Sequence, residues 1–317
     1  RSSHERDLLS VVRMALSPIG KIIAVTFTMP VVKLFGNDQA AWIKTMSIWC
    51  AIALVLLVIC FVRCKETVNF ESTAQEQPKV PASRAIKALL GNPYFWATLI
   101  LWTVTCVHTT IIGTDLPYYC KYVLGNDEWY YSVIYTSEIV ALIVGALLCP
   151  MLLQKFNKRN LSLAGCIIVV IAHALIMVNP MSFQWILVMT IIRSLGQAPL
   201  TSLVFGMMGD VVEYGQWKSH LRQESLIFGG GSLGFKIGTG ITSAVMTAML
   251  EGAGFLSSVT GGAMQPTSAQ QMISSIFKFG PIFVWIVAII VLLFYKLDKI
   301  YPTIMKELTE REARGEM

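Results

Sequence analysis

GDVVEYGQWKSHLRQES, residues 209–225, places Asp210, Glu213, Lys218, His220, Arg222 and Glu224 within seventeen positions. Long apolar runs lie on both sides of it. A short charged segment between two such runs reads as a polar turn joining two membrane-crossing helices.

The composition agrees. Of 317 residues, 55% are hydrophobic and 14% charged, whereas a soluble globular chain carries about 25% charged residues. Because the apolar residues come in blocks, the chain reads as a polytopic, all-α membrane protein. A helix needs about 20 mainly apolar residues to cross a bilayer. Eight segments qualify: 12–34, 42–62, 93–117, 129–152, 160–179, 183–210, 225–252 and 274–296. None shows the alternating polarity of a spanning strand. The formal net charge is +6, but the basic residues fall between spans and do not interleave with aromatics, which argues against nucleic acid as a partner. The seven cysteines include no CxxC pair. Neither a disulfide framework nor a metal site is predicted.

The loops predict an orientation. With a cytoplasmic start, Arg13, Arg63, Lys65, Lys155, Lys158, Arg159, Lys218, Arg222, Lys299 and Lys306 all fall inside, and the outer loops keep little besides Lys121 and the flanking Lys33 and Lys44. This is the positive-inside pattern, with both ends of the chain cytoplasmic and an even number of spans. Residues 63–92 are polar, hold Pro78 and Pro81, and end in the amphipathic SRAIKALL. They read as a linker. The predicted organisation is a two-helix piece over 1–62, the linker over 63–92, a six-helix bundle over 93–298 and a cytoplasmic tail over 299–317. The chain opens on Arg1 within a polar RSSHERDLL that lacks the features of a signal peptide. It reads as starting inside a longer protein.

Ionisable residues deep in a span are costly and are functional candidates by default. Lys21, Glu138, Arg193 and Lys236 each lie about ten positions from a span's end, near the midplane. Tyr131, Tyr135 and Glu138 stand at i, i+4 and i+7 and share a helix face. A carboxylate beside aromatic rings suits a sugar, whose C–H faces stack on rings while its hydroxyls meet polar groups. Tyr131 alternatively belongs to an interfacial aromatic belt. Arg193 precedes GQAPLTS, where Gly196 and Pro199 can loosen a helix that lines a cavity; the alternative is a structural arginine paired with a neighbouring helix. Lys236 lies within a glycine-rich run, Gly229 to Gly240, that lets another helix approach closely. No strand precedes that run, so it is not a phosphate loop. Ser232 and Lys236 share a face. Lys21 either enters a crevice or reaches the surface. Three cations against Glu138 leave about two uncompensated positive charges, which calls for an anionic substrate or for carboxylates from elsewhere. HExxH is absent, and the chain is not predicted to be an enzyme.

Asp210, Tyr214, Trp217, Arg222, Glu224 and Lys236 stand as D-x3-Y-x2-W-x4-R-x-E-x11-K. This closely resembles the signature of the glycoside–pentoside–hexuronide:cation symporters, the melibiose permease-like family of the major facilitator superfamily. ERDLLSVVR at 5–13, TMPVV at 28–32 and YYCKYVLG at 118–125 add to the likeness. The resemblance implies a twelve-span fold, of which this chain would supply spans five to twelve and lack the first four. It implies sugar:cation symport by alternating access, with Na+ or H+ as the coupling ion and no further cofactor. It places Lys236 at the family's functional lysine, Ser232 at a threonine position, and Thr201 where a cavity tryptophan stands, so that galactoside specificity does not carry over. Arg13 lies one place from an arginine at the start of span five.

The expected substrate-binding set is Tyr135, Glu138, Arg193, Thr201, Ser232, Lys236 and Lys21. The expected cytoplasmic gate is Arg13, Asp210, Glu213, Tyr214, Lys218, Arg222 and Glu224. The expected partners are a sugar and the bilayer of the cell membrane, with no obligate protein partner. The rival reading is a non-transporting membrane sensor, or an inactive remnant of the same fold.

Overall fold

The structure, a computed structural model, describes residues 19–20, 22–24, 26–28, 30–36, 38–63, 81–125, 129–221, 223–256 and 265–314. Among them, seven helices are long and apolar enough to cross a membrane. They match the second to eighth predicted spans. The first, 12–34, lies partly outside the described residues, although an apolar helical stretch, Ile22–Leu34, falls within it.

Two compact units divide the chain: one within Ser17–Pro81 and one from Ala82 onward. In the first, α1 spans Gln39–Arg63. Asp38 starts it by accepting from the Ala41 amide at 2.7 Å, as an N-cap carboxylate does. Only Ala41 and Thr45 of α1 are buried, and Leu54 to Ile59 are all exposed apolar side chains. That is the pattern of a helix whose surroundings are hydrocarbon. Trp49 Nε1 donates to Thr28 Oγ1 at 3.1 Å, tying α1 to the preceding helical stretch.

The second unit begins with the short amphipathic α2, Ala82–Leu90, which is the SRAIKALL segment. Asn92 and Pro93 then launch α3, Pro93–Tyr118: the Asn92 side chain accepts from the Tyr94 and Phe95 amides, and Pro93 occupies the first turn where no donor is needed. A π-helical turn, Tyr119–Val123, extends α3, so the span runs six residues past its predicted end at 117. α4 covers Trp129–Leu153, α5 Lys158–Ile176, α6 Phe183–Ser219, α7 Glu224–Gly252, α8 Thr267–Phe294 and α9 Leu297–Ala313.

α6 is the hub, packing on α5, α4, α3 and α9, while α7 packs chiefly on α3, and α8 on α3 and α5. The α5–α6 seam is set by Gly165 and Gly196. A Cβ on Gly165 would meet the Gly196 carbonyl oxygen at 2.3 Å and one on Gly196 would meet the Gly165 carbonyl oxygen at 2.9 Å, so the two backbones touch as small residues permit. α6 stays α-helical through Pro199. The glycine-rich run of α7 is a packing surface too. Cβ atoms on Gly230, Gly231, Gly234 and Gly238 would strike Phe95, Trp102, Leu99 and Thr103 of α3 at 2.4–2.9 Å, while Gly229 and Gly240 face open space.

The segment 211–224 departs from the prediction. It is mostly helix rather than loop: α6 continues through Asp210, Glu213, Tyr214 and Trp217 to Ser219. His220 then takes the left-handed conformation, φ 55°, and α7 begins at Glu224. The charged residues were misread as a turn because polarity ends a bilayer span without ending a helix. The last two turns of α6 simply continue beyond its apolar part.

Candidate functional site

Arg193 of α6 and Glu138 of α4 meet inside the second unit. Arg193 Nη2 donates to Glu138 Oε2 at 2.6 Å, and the arginine is 1% exposed. The contact exists because α4 and α6 pack tightly: a Cβ on Gly145 of α4 would meet Ala198 Cβ at 2.5 Å. One turn before Glu138, Tyr135 stacks on Tyr131, ring centroids 5.5 Å apart at 27°. Both rings are half-buried. The spacing read from the sequence therefore becomes one aromatic and acidic face on α4.

Arg193 keeps unused donors. Its Nε and Nη1 have no hydrogen-bond partner among the described residues, and neither does Oε1 of Gln197, one turn on. Around them lie His108 of α3, His173 of α5 and Trp285 of α8, with ring centroids 5.8 Å apart for His108–His173 and 5.4 Å for His108–Trp285. Both histidines are fully buried, and among the described residues neither they nor Trp285 Nε1 have a hydrogen-bond partner within normal geometry. Polar side chains from α3, α4, α5, α6 and α8 thus converge on the interior of a helix bundle. Such groups are costly there unless water or ligand meets them.

The remaining predicted binding residues lie apart from this pair. Thr201, two turns along α6, is half-buried and donates to the Gln197 carbonyl oxygen at 3.1 Å. Ser232 and Lys236 are exposed on α7. Lys21 lies outside the described residues. The charge balance changes accordingly. Arg193 is matched by Glu138 within its own unit; the predicted surplus rests on Lys236, exposed on α7, and on Lys21, which lies outside the described residues. The sequence reading did not single out Asp115, which is buried within α3 and within its predicted span 93–117, and it did not foresee the ring contact between His108 and His173.

At the far end of α6 lies a second cluster. Lys158 Nζ pairs with Asp210 Oδ2 at 2.7 Å and bonds Oδ1 at 2.9 Å. The Tyr301 hydroxyl donates to Glu213. Trp217 Nε1 donates to Glu307 Oε2 at 2.7 Å, and Arg311 Nη1 to the Trp217 carbonyl oxygen at 3.1 Å. Tyr214 meets Tyr94 edge-on at 4.8 Å and has Lys218 Nζ 5.8 Å from its ring centre. Asp298 accepts from the Arg159 amide at 2.8 Å, capping α5, whose own Asn157 makes no side-chain cap. The Arg159 guanidinium reaches the Leu292 and Leu293 carbonyl oxygens at 2.6 and 2.8 Å, closing the end of α8. Burial, followed by the Glu213 carboxylate, pushes the Tyr301 phenol well above its usual range. Four of the predicted gate residues, Asp210, Glu213, Tyr214 and Lys218, are thus drawn together with α9, whose Tyr301, Glu307 and Arg311 the sequence reading had left in a tail. Glu224 starts α7. Arg13 and Arg222 lie outside the described residues.

Comparison with known proteins gives this arrangement its context. The chain is 28% identical to the isoprimeverose transporter of Lactiplantibacillus pentosus over 98% of its length and 64% of that protein. It is 24% identical to the uncharacterized symporter YnaJ of Bacillus subtilis over 98% of its length and 67% of that protein. It therefore spans about two thirds of the length of these relatives. By name, one is a transporter and the other a symporter. Residues 1–299 match the family described as MFS/sugar transport protein, and the chain belongs to that family.

Proposed function

We propose that the protein carries a sugar by cation symport, with alternating access around a site in the middle of the bilayer. The observation that carries this is the Arg193–Glu138 pair beneath the stacked Tyr131 and Tyr135. A buried ion pair with spare donors next to aromatic faces offers the mixed polar and stacking surface that a glycoside needs. The printed names of the relatives, an isoprimeverose transporter and a symporter, support a sugar cargo and a coupled ion. Na+ and H+ are both compatible with them. Tyr135, Glu138, Arg193 and Thr201 form one part of the site. Ser232 and Lys236, on the exposed face of α7, form another.

The end of α6 then acts as the cytoplasmic gate, with both chain ends on that side as the distribution of basic residues suggests. Asp210, Glu213, Tyr214, Lys218 and Glu224, with Arg13 and Arg222, hold the inner side in one state and release it in the other. The test is uptake of a panel of labelled glycosides into vesicles, with and without a Na+ or H+ gradient. Gradient-driven uptake that falls in both Glu138→Ala and Lys236→Ala supports the assignment. Uptake unchanged in both variants removes these residues from the site, and no uptake of any sugar under either gradient overturns the function.

A further inference from the structure

His108, Ile112, Asp115 and Tyr119 follow one another at i, i+4, i+7 and i+11 along α3 and its π-turn, and so line one face. All four are buried, and Asp115 is 0% exposed. Neither of its carboxyl oxygens has a hydrogen-bond partner among the described residues. Its helix neighbours Ile111, Ile112 and Leu116 belong to an apolar cluster that also holds Ile273 and Phe277 of α8. Tyr119, one turn on, is turned to another use: its hydroxyl donates to the Pro180 carbonyl oxygen at 2.6 Å. Cys120 lies beside it on the π-turn, with Lys121 exposed at the next position. The elements packed on α3 bring Arg84 and Lys87 of α2, Arg193 of α6, Lys236 and Glu251 of α7, and Lys278 of α8. The polar ends of α6 and α7 add Asp210, Glu213, Lys218 and Glu224. None of these forms an ion pair with Asp115, and Arg193 is committed to Glu138.

A carboxylate in such a place would be a buried charge without a counter-charge, and proteins remove such a charge by binding a proton. We propose that Asp115 is a proton-binding site inside this bundle, occupied in the conformation described here. The two carboxyl groups differ in that Glu138 has a cation beside it, whereas Asp115 has none among the described residues. The inference concerns the proton alone and does not depend on a sugar being the cargo.

Infrared spectroscopy of the full chain in lipid nanodiscs at neutral pH tests it. The spectrum is expected to contain the carbonyl band of a protonated carboxylic acid that shifts in heavy water. The band should move when aspartate is labelled with carbon-13 in its side-chain carboxyl, and stay when glutamate is so labelled. It should vanish in Asp115→Asn and persist in Glu138→Gln. The isotope measurement needs no variant, so it stands even if Asp115→Asn fails to fold. Absence of the band, its movement only with labelled glutamate, or its survival in folded Asp115→Asn overturns the proposal.

Discussion

Arg193 and Glu138 are joined across α4 and α6 at 2.6 Å, with the arginine 1% exposed. Such a pair is unevenly dependent on its two members. Removing one leaves the other as an uncompensated buried charge, which costs about 3–5 kcal/mol. Arg193→Met and Glu138→Gln are each expected to lower the stability of the purified protein by that order. The double variant should lose less than the sum, because no unpaired buried charge is left behind. Thermal unfolding of all four forms in one detergent gives the coupling. Additive losses would show that the two groups do not interact.

The glycine stripe of α7 makes a different kind of prediction. A Cβ on Gly231 would meet Trp102 at 2.5 Å and one on Gly234 would meet Leu99 at 2.4 Å, while Gly240 has nothing within 4 Å. Gly231→Leu and Gly234→Leu must push α7 off α3, an overpacking cost of about 1–3 kcal/mol or more. Gly240→Leu is expected to be near neutral. The contrast within one helix separates close approach from helix propensity, since leucine raises the latter at every position. It is read from the unfolding temperatures of the three variants. Equal shifts at all three positions would contradict the packing account.

These two regions show what could be read before the fold was known. Apolar length alone located seven of the spans, because a bilayer demands a fixed length of hydrocarbon. The spacing of Tyr131, Tyr135 and Glu138 gave their common face, because helical periodicity is local. Partners were not legible in this way. Glu138 and Arg193 are 55 positions apart, and no local rule says that α4 lies against α6. The buried role of Asp115 was hidden for a similar reason: it lies within the predicted span, but its burial depends on helices distant in sequence that pack on α3. The helical path of residues 211–219 was missed because charge marks where hydrocarbon stops, whereas caps mark where a helix stops. Here the left-handed residue is His220, one position past Ser219.

Asp298 and Arg159 give a test of the junction between α5, α8 and α9. Asp298 accepts from the Arg159 amide at 2.8 Å and so does the work of an N-cap from a distant helix. Asp298→Ala is expected to cost about 1 kcal/mol, as the loss of a cap does. Arg159→Lys should cost about as much despite keeping its charge. A lysine cannot span the Leu292 and Leu293 carbonyl oxygens as the planar guanidinium does. Amide hydrogen exchange at the first turn of α5 and the end of α8 should rise in Asp298→Ala and Arg159→Lys, respectively. Unchanged exchange at both sites would remove the capping role.

Tyr301 carries the pH prediction. Burial, followed by its hydrogen bond to Glu213, raises its ionisation in the folded state above the usual value near 10. The folded protein therefore holds the phenolic proton more tightly than the unfolded chain. Below pH about 10 both states keep the proton, and this contribution to stability is fully present. As pH rises past that value the unfolded state releases its proton first, and stability falls. Tyr301→Phe removes the titration together with the hydrogen bond. It is expected to lose about 1–3 kcal/mol at neutral pH, the worth of a hydrogen bond to a charged acceptor. Its stability should then decline less steeply than the wild type on the alkaline side. Chemical unfolding at neutral pH and on both sides of pH 10 measures both effects. A wild-type curve parallel to that of Tyr301→Phe through the alkaline range would show that this phenol does not link folding to pH.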